Sequence, residues 1–347
     1  MCGRLRKTEL AFGCRLSGVD ISTPRLRAGL TVVLVGTCGA AAAQTGGRAH
    51  AEMTARGGAS GERLLVFGGV RWGTSSVTPR IYLIRADGTG MRRITDARNV
   101  EDVDPAWRPD GRRIAFARRN ALGWRLYVMN PDGRRLRAIS PVLSDAVAPA
   151  WSPDGRQLAF QWLPRRLPAR GSLSQQIAVI DANGKRLRTL TKNATFRGGA
   201  AHPAWSPDGK TILFSARKSL AENARADVWS VRPSGRGLHR LIVNATDPAW
   251  SPSGREFAFS RRGDLYTAAS GGRILRRLTH GHYADSAAPA WSPDGSEIAY
   301  DTTHYDKQAQ AQSECLTVIG ADGSRRREIT SRDPDFWATS PDWRPGA

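Results

Sequence analysis

The sequence predicts an all-β fold: a six-bladed β-propeller of four-stranded antiparallel blades, closed by the C-terminal strand joining the N-terminal blade. Two observations carry that prediction. A Pro-Ala-Trp-Ser-Pro-Asp-Gly phrase recurs with small variations along the 347-residue chain, placing tryptophans at Trp107, Trp151, Trp205, Trp250 and Trp291 and, in a truncated copy, at Trp343. They stand 44, 54, 45, 41 and 52 residues apart, and strand-like content repeating at about 40–45 residues belongs to a propeller or a similar stacked array. The second observation is closure. Residues 62–95 hold the last three strands of a blade with no phrase ahead of them, and the final phrase, from Pro341 to Trp343, supplies the missing first strand.

Each element of the repeat has a local cause. Pro opens the first strand where its missing N–H is not needed. Ser-Pro-Asp-Gly is a turn in which Pro fixes φ, Asp bonds the backbone ahead of it and Gly accepts a positive φ. A second strand follows at residues 114–116, 158–160, 212–214, 257–259 and 298–300, and a third at 126–129, 177–180, 228–231, 265–267 and 316–319. Another turn comes next, as in Asn130-Pro131-Asp132-Gly133 or Asp181-Ala182-Asn183-Gly184. A last short strand ends in a Leu/Ile–Thr/Ser pair, as in Ile139-Ser140, Leu190-Thr191, Leu278-Thr279 and Ile329-Thr330. Four strands joined by hairpin turns make one blade. By periodicity, the six phrase tryptophans are structural core residues between blades, each able to bury on the order of 200 Å².

These motifs resemble the TolB-type propeller repeat, a relative of the tryptophan–aspartate (WD40-like) repeat. That repeat occurs in bacterial envelope proteins and in the propellers of prolyl-oligopeptidase-type peptidases. The resemblance covers residues 62–347 and is specific for fold, much less so for function. It implies a propeller that binds an envelope protein, a peptide or a cell-envelope glycan. TolB proteins carry a folded partner-docking domain ahead of the propeller, where about sixty residues stand here.

Residues 1–27 are polar and basic, and residues 28–43 are apolar and small, ending in Ala41-Ala42-Ala43. That order reads as a signal peptide over 1–43, and its apolar part is shorter than the ~20 residues of a membrane span. Leu34-Val35-Gly36-Thr37-Cys38 also resembles a lipobox, so Cys38 is the alternative, a lipid anchor. Residues 44–61 lack periodicity and read as a disordered linker. The expected location is exported: periplasmic, cell-surface or secreted. Cys2 and Cys14 share the leader with Cys38, Cys315 stands alone in the propeller, and no Cys-x-x-Cys spacing marks a metal framework.

The net charge is +21, from 52 basic and 31 acidic residues. The arginines are spread over all blades beside turns, as at Arg112, Arg134, Arg186 and Arg325, which is the pattern of a solvated surface. Nucleic acid is not the expected partner, because the aromatics occupy core positions instead of clustering as a stacking platform.

No catalytic motif is present. The sequence has no Gly-x-Ser-x-Gly elbow and no His-Glu-x-x-His helix. Gly209-Lys210-Thr211 imitates the end of a phosphate loop, but position 204 is Ala and the turn phrase explains the triplet. The candidates for binding lie at one end of the ring. Asp104, Ala148, His202, Asp247, Ala288 and Ser340 precede the six repeat prolines, and pseudo-sixfold symmetry places them at the channel mouth. There Asp104, His202 and Asp247 are candidate ligands for a channel-bound cation, or the acid and base groups of the alternative, a hydrolase or lyase; no other cofactor is expected. His280, His282 and Asp285 form a second candidate ligand-binding cluster. Long insertions at 163–174 and 302–313, and a shorter one at 218–226, fall on that same face, where loops on a rigid scaffold carry binding.

Overall fold

The computed structural model describes residues 63–71, 78–141, 144–164, 174–192, 194–221, 224–281, 284–306, 311–333 and 335–346. The predicted signal peptide and linker, with Cys2, Cys14 and Cys38, lie outside them, as does His282. Among the described residues no helix is long and apolar enough to cross a membrane.

The repeat folds into 24 strands in six four-stranded antiparallel sheets. Blade one holds β1 (Leu64–Arg71), β2 (Arg80–Arg85) and β3 (Arg92–Arg93). Blade two is β4 (Glu101–Trp107), β5 (Ile114–Asn120), β6 (Gly123–Met129) and β7 (Arg137–Ala138). Blade three is β8 (Ser144–Trp151), β9 (Gln157–Pro164), β10 (Gln176–Asp181) and β11 (Arg188–Thr189). Blade four is β12 (Ala200–Trp205), β13 (Ile212–Ala216), β14 (Asp227–Val231) and β15 (His239–Ile242). Blade five is β16 (Thr246–Trp250), β17 (Glu256–Arg261), β18 (Asp264–Ala269) and β19 (Ile274–Arg277). Blade six is β20 (Ala284–Trp291), β21 (Glu297–Asp306), β22 (Ala311–Gly320) and β23 (Arg327–Glu328). The last strand, β24 (Phe336–Trp343), pairs with β1 and completes blade one. Strands β4, β8, β12, β16, β20 and β24 each touch the next, and β24 touches β4, so the first strands close a ring.

The core lies between blades. Ala115, Leu126 and Val128 of blade two meet Trp151, Leu158 and Phe160 of blade three, and the pattern repeats around the ring. The indole N–H groups of Trp151, Trp291 and Trp343 donate to the carbonyls of Ala106, Ala249 and Ala290, the phrase alanines of the preceding blades. Two phrases carry Arg in place of the first Ser. Arg344 lies over Trp107 and Arg108 over Trp151, each in the following blade, at 5.7 Å from the ring centre, a favourable cation–π distance. Four of the six phrase tryptophans are buried, and Trp205 and Trp250 are half-buried but still packed against the core clusters of blades four and five.

The turn phrase works as its chemistry predicts. Ser152, Ser206 and Ser292 hydroxyls donate to Asp154, Asp208 and Asp294 two residues on, at 2.5–2.6 Å. The same hydroxyls accept the backbone N–H of Gln157, Thr211 and Glu297, fastening the start of the second strand. The Ser hydroxyl bonds hold all three aspartates below the usual carboxylate range, Asp294 at about 2. The Thr/Ser that ends each repeat has a different place from the one expected. In five blades it follows the fourth strand, and its hydroxyl replaces a backbone carbonyl by accepting an N–H of the third strand. Thr95, Ser140, Thr191, Thr279 and Thr330 accept from Ile81, Leu126, Ile177, Leu265 and Leu316 at 2.9–3.0 Å.

Neighbouring blades also dock through the third-to-fourth-strand turn. Gly184 has φ of +85°, and a Cβ there would stand 2.8 Å from the carbonyl oxygen of Ile139 in the preceding blade. Gly88 and Gly272 repeat the approach to Ile329 and Leu241. Gly184→Ala is therefore expected to cost about 1–3 kcal/mol, from a left-handed backbone and a forced separation of blades. Gly271→Ala, where nothing lies within 4 Å of the new methyl, is the control. Urea unfolding midpoints of the two variants check this; equal midpoints would refute it.

The ring closure carries a side chain found in no other copy. Asp342 stands where the other phrases have Ala, and its Oδ2 accepts the N–H of Trp107 on β4 at 2.6 Å. Although the residue keeps some exposed surface, its carboxyl group is enclosed, and burial pushes it up to about 7 against the lowering bonds from the Trp107 and Trp343 N–H groups. A raised acid binds its proton more tightly in the folded than in the unfolded chain. Its contribution is thus fully present below the unfolded Asp pKa of about 3.9 and is lost as pH rises through 7. Asp342→Asn keeps an acceptor for Trp107 and removes the titration. The variant is expected to melt above the parent at pH 8, with the gap closing towards pH 4; a pH-independent difference in melting temperature would contradict the assignment.

Candidate functional site

The inner strands share one distortion. Asp104, Ala148, His202, Asp247, Ala288 and Ser340 all have φ of +49° to +53°, a left-handed conformation that is uncommon outside glycine. In each blade this residue and its Pro together oppose a single residue of the neighbouring strand, which is a β-bulge. The opposed residue is always a fully buried aromatic: Phe67, Phe116, Phe160, Phe214, Phe259 or Tyr300. The X-Pro bulge aims residue X away from the ladder and towards its counterparts on the adjacent inner strands.

Those counterparts do meet. Ser340 Oγ donates to Asp104 Oδ1 and the Ala148 N–H to Asp104 Oδ2, both at 3.2 Å. On another arc of the ring His202 Nδ1 lies 2.5 Å from Asp247 Oδ1, and Thr246 Oγ1 donates to Asp247 Oδ2 at 3.2 Å. The predicted trio is therefore split. His202 and Asp247 form a pair on adjacent strands, whereas Asp104 is engaged by Ser340 and Ala148, its own neighbours around the ring.

The second predicted cluster is not assembled among the described residues. His280 is exposed after β19, and Asp285 is an exposed residue of β20 whose carboxylate lies against Gly263; nothing joins the two. Cys315 is fully buried, and burial pushes its thiol up to about 11, the opposite of an activated nucleophile.

Carboxylates not picked out in the sequence organise the same end of the ring. Asp102, directly across the ladder from Arg118, takes a bidentate bond from it at 2.6 and 2.8 Å. Asp264 opens β18 and accepts from Arg277, Thr279 and the Gly281 N–H. Asp145 accepts the N–H of Trp124 in the preceding blade. The available signal was an acidic residue near the start of first and third strands, but charge alone does not tell a tethering aspartate from a solvated one. The expected insertion at 302–313 is in part regular ladder: β21 and β22 stay paired out to Asp306↔Ala311, so the sixth blade projects a hairpin. The opposite face holds two open clefts of about 710 and 750 Å³ between turns. The first is lined by Arg92, Arg108, Arg112, Arg113, Arg135 and Arg344, with Asp110 and Asp132.

A closed ring of six four-stranded blades, with polar side chains gathered on its inner strands, defines a β-propeller. Residues 125–346 match the TolB beta propeller domain, and the chain belongs to that family. The fold is similar to that of TolB from Acinetobacter baumannii, with a TM-score of 0.65 at 18% identity over 82% of this chain and 67% of that one. It is also similar to a TolB protein of Agrobacterium tumefaciens, with a TM-score of 0.56 at 19% identity over 82% of this chain and all of that one. A curated relative, dipeptidyl-peptidase 5 of Porphyromonas gingivalis, is 24% identical over 205 residues, which is 47% of this chain and 30% of the peptidase.

Proposed function

We propose that this chain is an exported, non-catalytic binding propeller that recognises a protein, a peptide or a cell-envelope glycan. Recognition takes place on the face that carries the inner-strand bulges, the connections between blades and the β21–β22 hairpin. One observation carries the reading: the two faces differ in kind. On one, the Ser-Pro-Asp-Gly and Asp-Gly turns repeat with nearly the same bonds from blade to blade. On the other, the joints between second and third strands vary in length, from the two-residue turns Ala121-Leu122 and Arg262-Gly263 to the long sixth-blade hairpin. Variable loops on a rigid scaffold are where specificity is built. Export is supported by the basic-then-apolar order of residues 1–43. A cation at the channel mouth would take His202 and Asp247, without Asp104. The rival hydrolase or lyase reading has the His202–Asp247 pair for it and the engagement of Asp104 elsewhere against it.

A photo-crosslinking amino acid at Tyr305, 41% exposed on the hairpin, and another at Leu136, 43% exposed beside a turn, test the reading in an exporting bacterial host. Covalent adducts are expected from position 305 and not from 136. Adducts from 136 alone would move recognition to the arginine-lined cleft and overturn the proposal.

A further inference from the structure

We infer that the sixth blade carries a transition-metal site, with Zn²⁺ as its best-matched ion, built from His304, Cys315 and Glu328. One ligand atom from each residue lies within 4.8 Å of the other two. The strand register brings them together. Cys315 pairs with Thr302 across β21, two residues before His304, and Glu328 on β23 pairs with Thr317, two residues after Cys315. Side chains two apart along a strand share a face, so three consecutive strands each place one donor on the same side of the sheet. That side also carries Tyr300 and Ile319, which pack against blade five.

The donor set fits the ion. Thiolate, imidazole and carboxylate are the zinc ligands, and three protein ligands with one position left for water is a recognised zinc arrangement. Cys315 is fully buried, whereas the side chains of His304 and Glu328 are 17% and 26% exposed, so the open position would face solvent. His304 Nε2 is itself shut off from solvent, and its polar contact is Glu328 Oε1 at 3.3 Å. A metal between the two would bind both Nε2 and the Glu328 carboxylate in place of that direct contact. The surroundings resemble a second coordination shell, whose hydrogen bonds orient ligands. Arg332 forks Glu328 at 2.6 and 2.8 Å, and Thr317 Oγ1 lies 4.0 Å from Cys315 Sγ. Zinc–ligand bonds of about 2.0–2.3 Å require the donors to close by roughly 1 Å. His304, on the projecting hairpin, and Glu328, on the two-residue edge strand, are the two placed to move. The sequence hides the site, because its ligands are separated by a hairpin and by a turn instead of standing in a short motif.

The test uses the full chain without a histidine tag, stripped with a chelator and titrated with Zn²⁺ by calorimetry and with Co²⁺ by absorption. The expected result is one ion per chain, a thiolate-to-cobalt charge-transfer band, and a melting temperature raised by roughly 5 °C at saturating Zn²⁺. Cys315→Ala should abolish the band and weaken Zn²⁺ binding at least tenfold. Glu328→Gln, at a partly exposed edge, should weaken binding while keeping the band, and Cys38→Ala should change neither. Circular dichroism of the metal-free variants checks folding; if Cys315→Ala does not fold, the Glu328→Gln affinity decides. Absence of stoichiometric binding, binding without the band, or a band that survives in folded Cys315→Ala would overturn the assignment.

Discussion

Replacing Trp343 with Ala is expected to lower the stability of the propeller by about 3–5 kcal/mol, the range for deleting a large buried aromatic. Trp343 is 3% exposed and lies in a cluster with Leu65 and Phe67 of its own blade and Ala290, Leu316 and Val318 of blade six. Its indole N–H donates to Ala290 at 3.1 Å, and the Arg63 guanidinium covers the ring at 5.0 Å. Position matters as much as area. β24 is paired directly with β1, and that pairing joins residues at opposite ends of the described propeller. Loss of Trp343 weakens that strand and the neighbouring blade contact together. Trp205→Ala is the comparison, because Trp205 is half-buried and its blade is continuous in sequence. Urea unfolding should give a clearly larger loss for Trp343→Ala than for Trp205→Ala. A Trp343 variant as stable as the parent would remove the argument that the closing strand is held by its tryptophan.

How much of this was legible in the sequence divides by range. The blades were, because turn chemistry and strand alternation are local: Ser206, Pro207, Asp208 and Gly209 carry their own bonding instructions within four residues. Closure was legible too, because a missing first strand at one end and a surplus one at the other can be counted. The bulges were only half legible. The residue before each Pro could be placed near the channel by symmetry, but its left-handed backbone and the aromatic opposite it depend on the pairing of two strands. Register decided the rest. His202 and Asp247 meet because their inner strands are adjacent, whereas Asp104 sits on an inner strand that adjoins neither of theirs. His304, Cys315 and Glu328 converge for the same reason, from positions that no spacing rule would link.

Asp102→Ala is expected to cost as much as the Trp343 deletion, for an electrostatic reason. Asp102 has no exposed surface, Arg118 is 8% exposed, and the two form a bidentate pair across the β4–β5 ladder. The Arg118 guanidinium also stands 5.4 Å from the ring centres of Phe116 and Tyr127. These aromatic faces stabilise a cation but cannot replace its counter-ion. Removing the carboxylate leaves a buried, uncompensated charge, and breaking such a pair from one side costs about 3–5 kcal/mol. Removing both charges is a different change. Asp102→Ala combined with Arg118→Met keeps an apolar stem over Phe116 and deletes the cation, so the double variant should regain much of what the single one loses. A double-mutant cycle read by urea midpoints measures this coupling, since contacting residues depart from additivity. If the double variant is as unstable as the sum of the two singles, the pair is ordinary packing and the charge argument fails. Asp102 lies two residues before Asp104, so the same measurement bears on the ring of bulges. A loosened β4 would free Asp104 from its bonds to Ala148 and Ser340, and the channel mouth would lose order on that arc while the His202–Asp247 pair stayed intact.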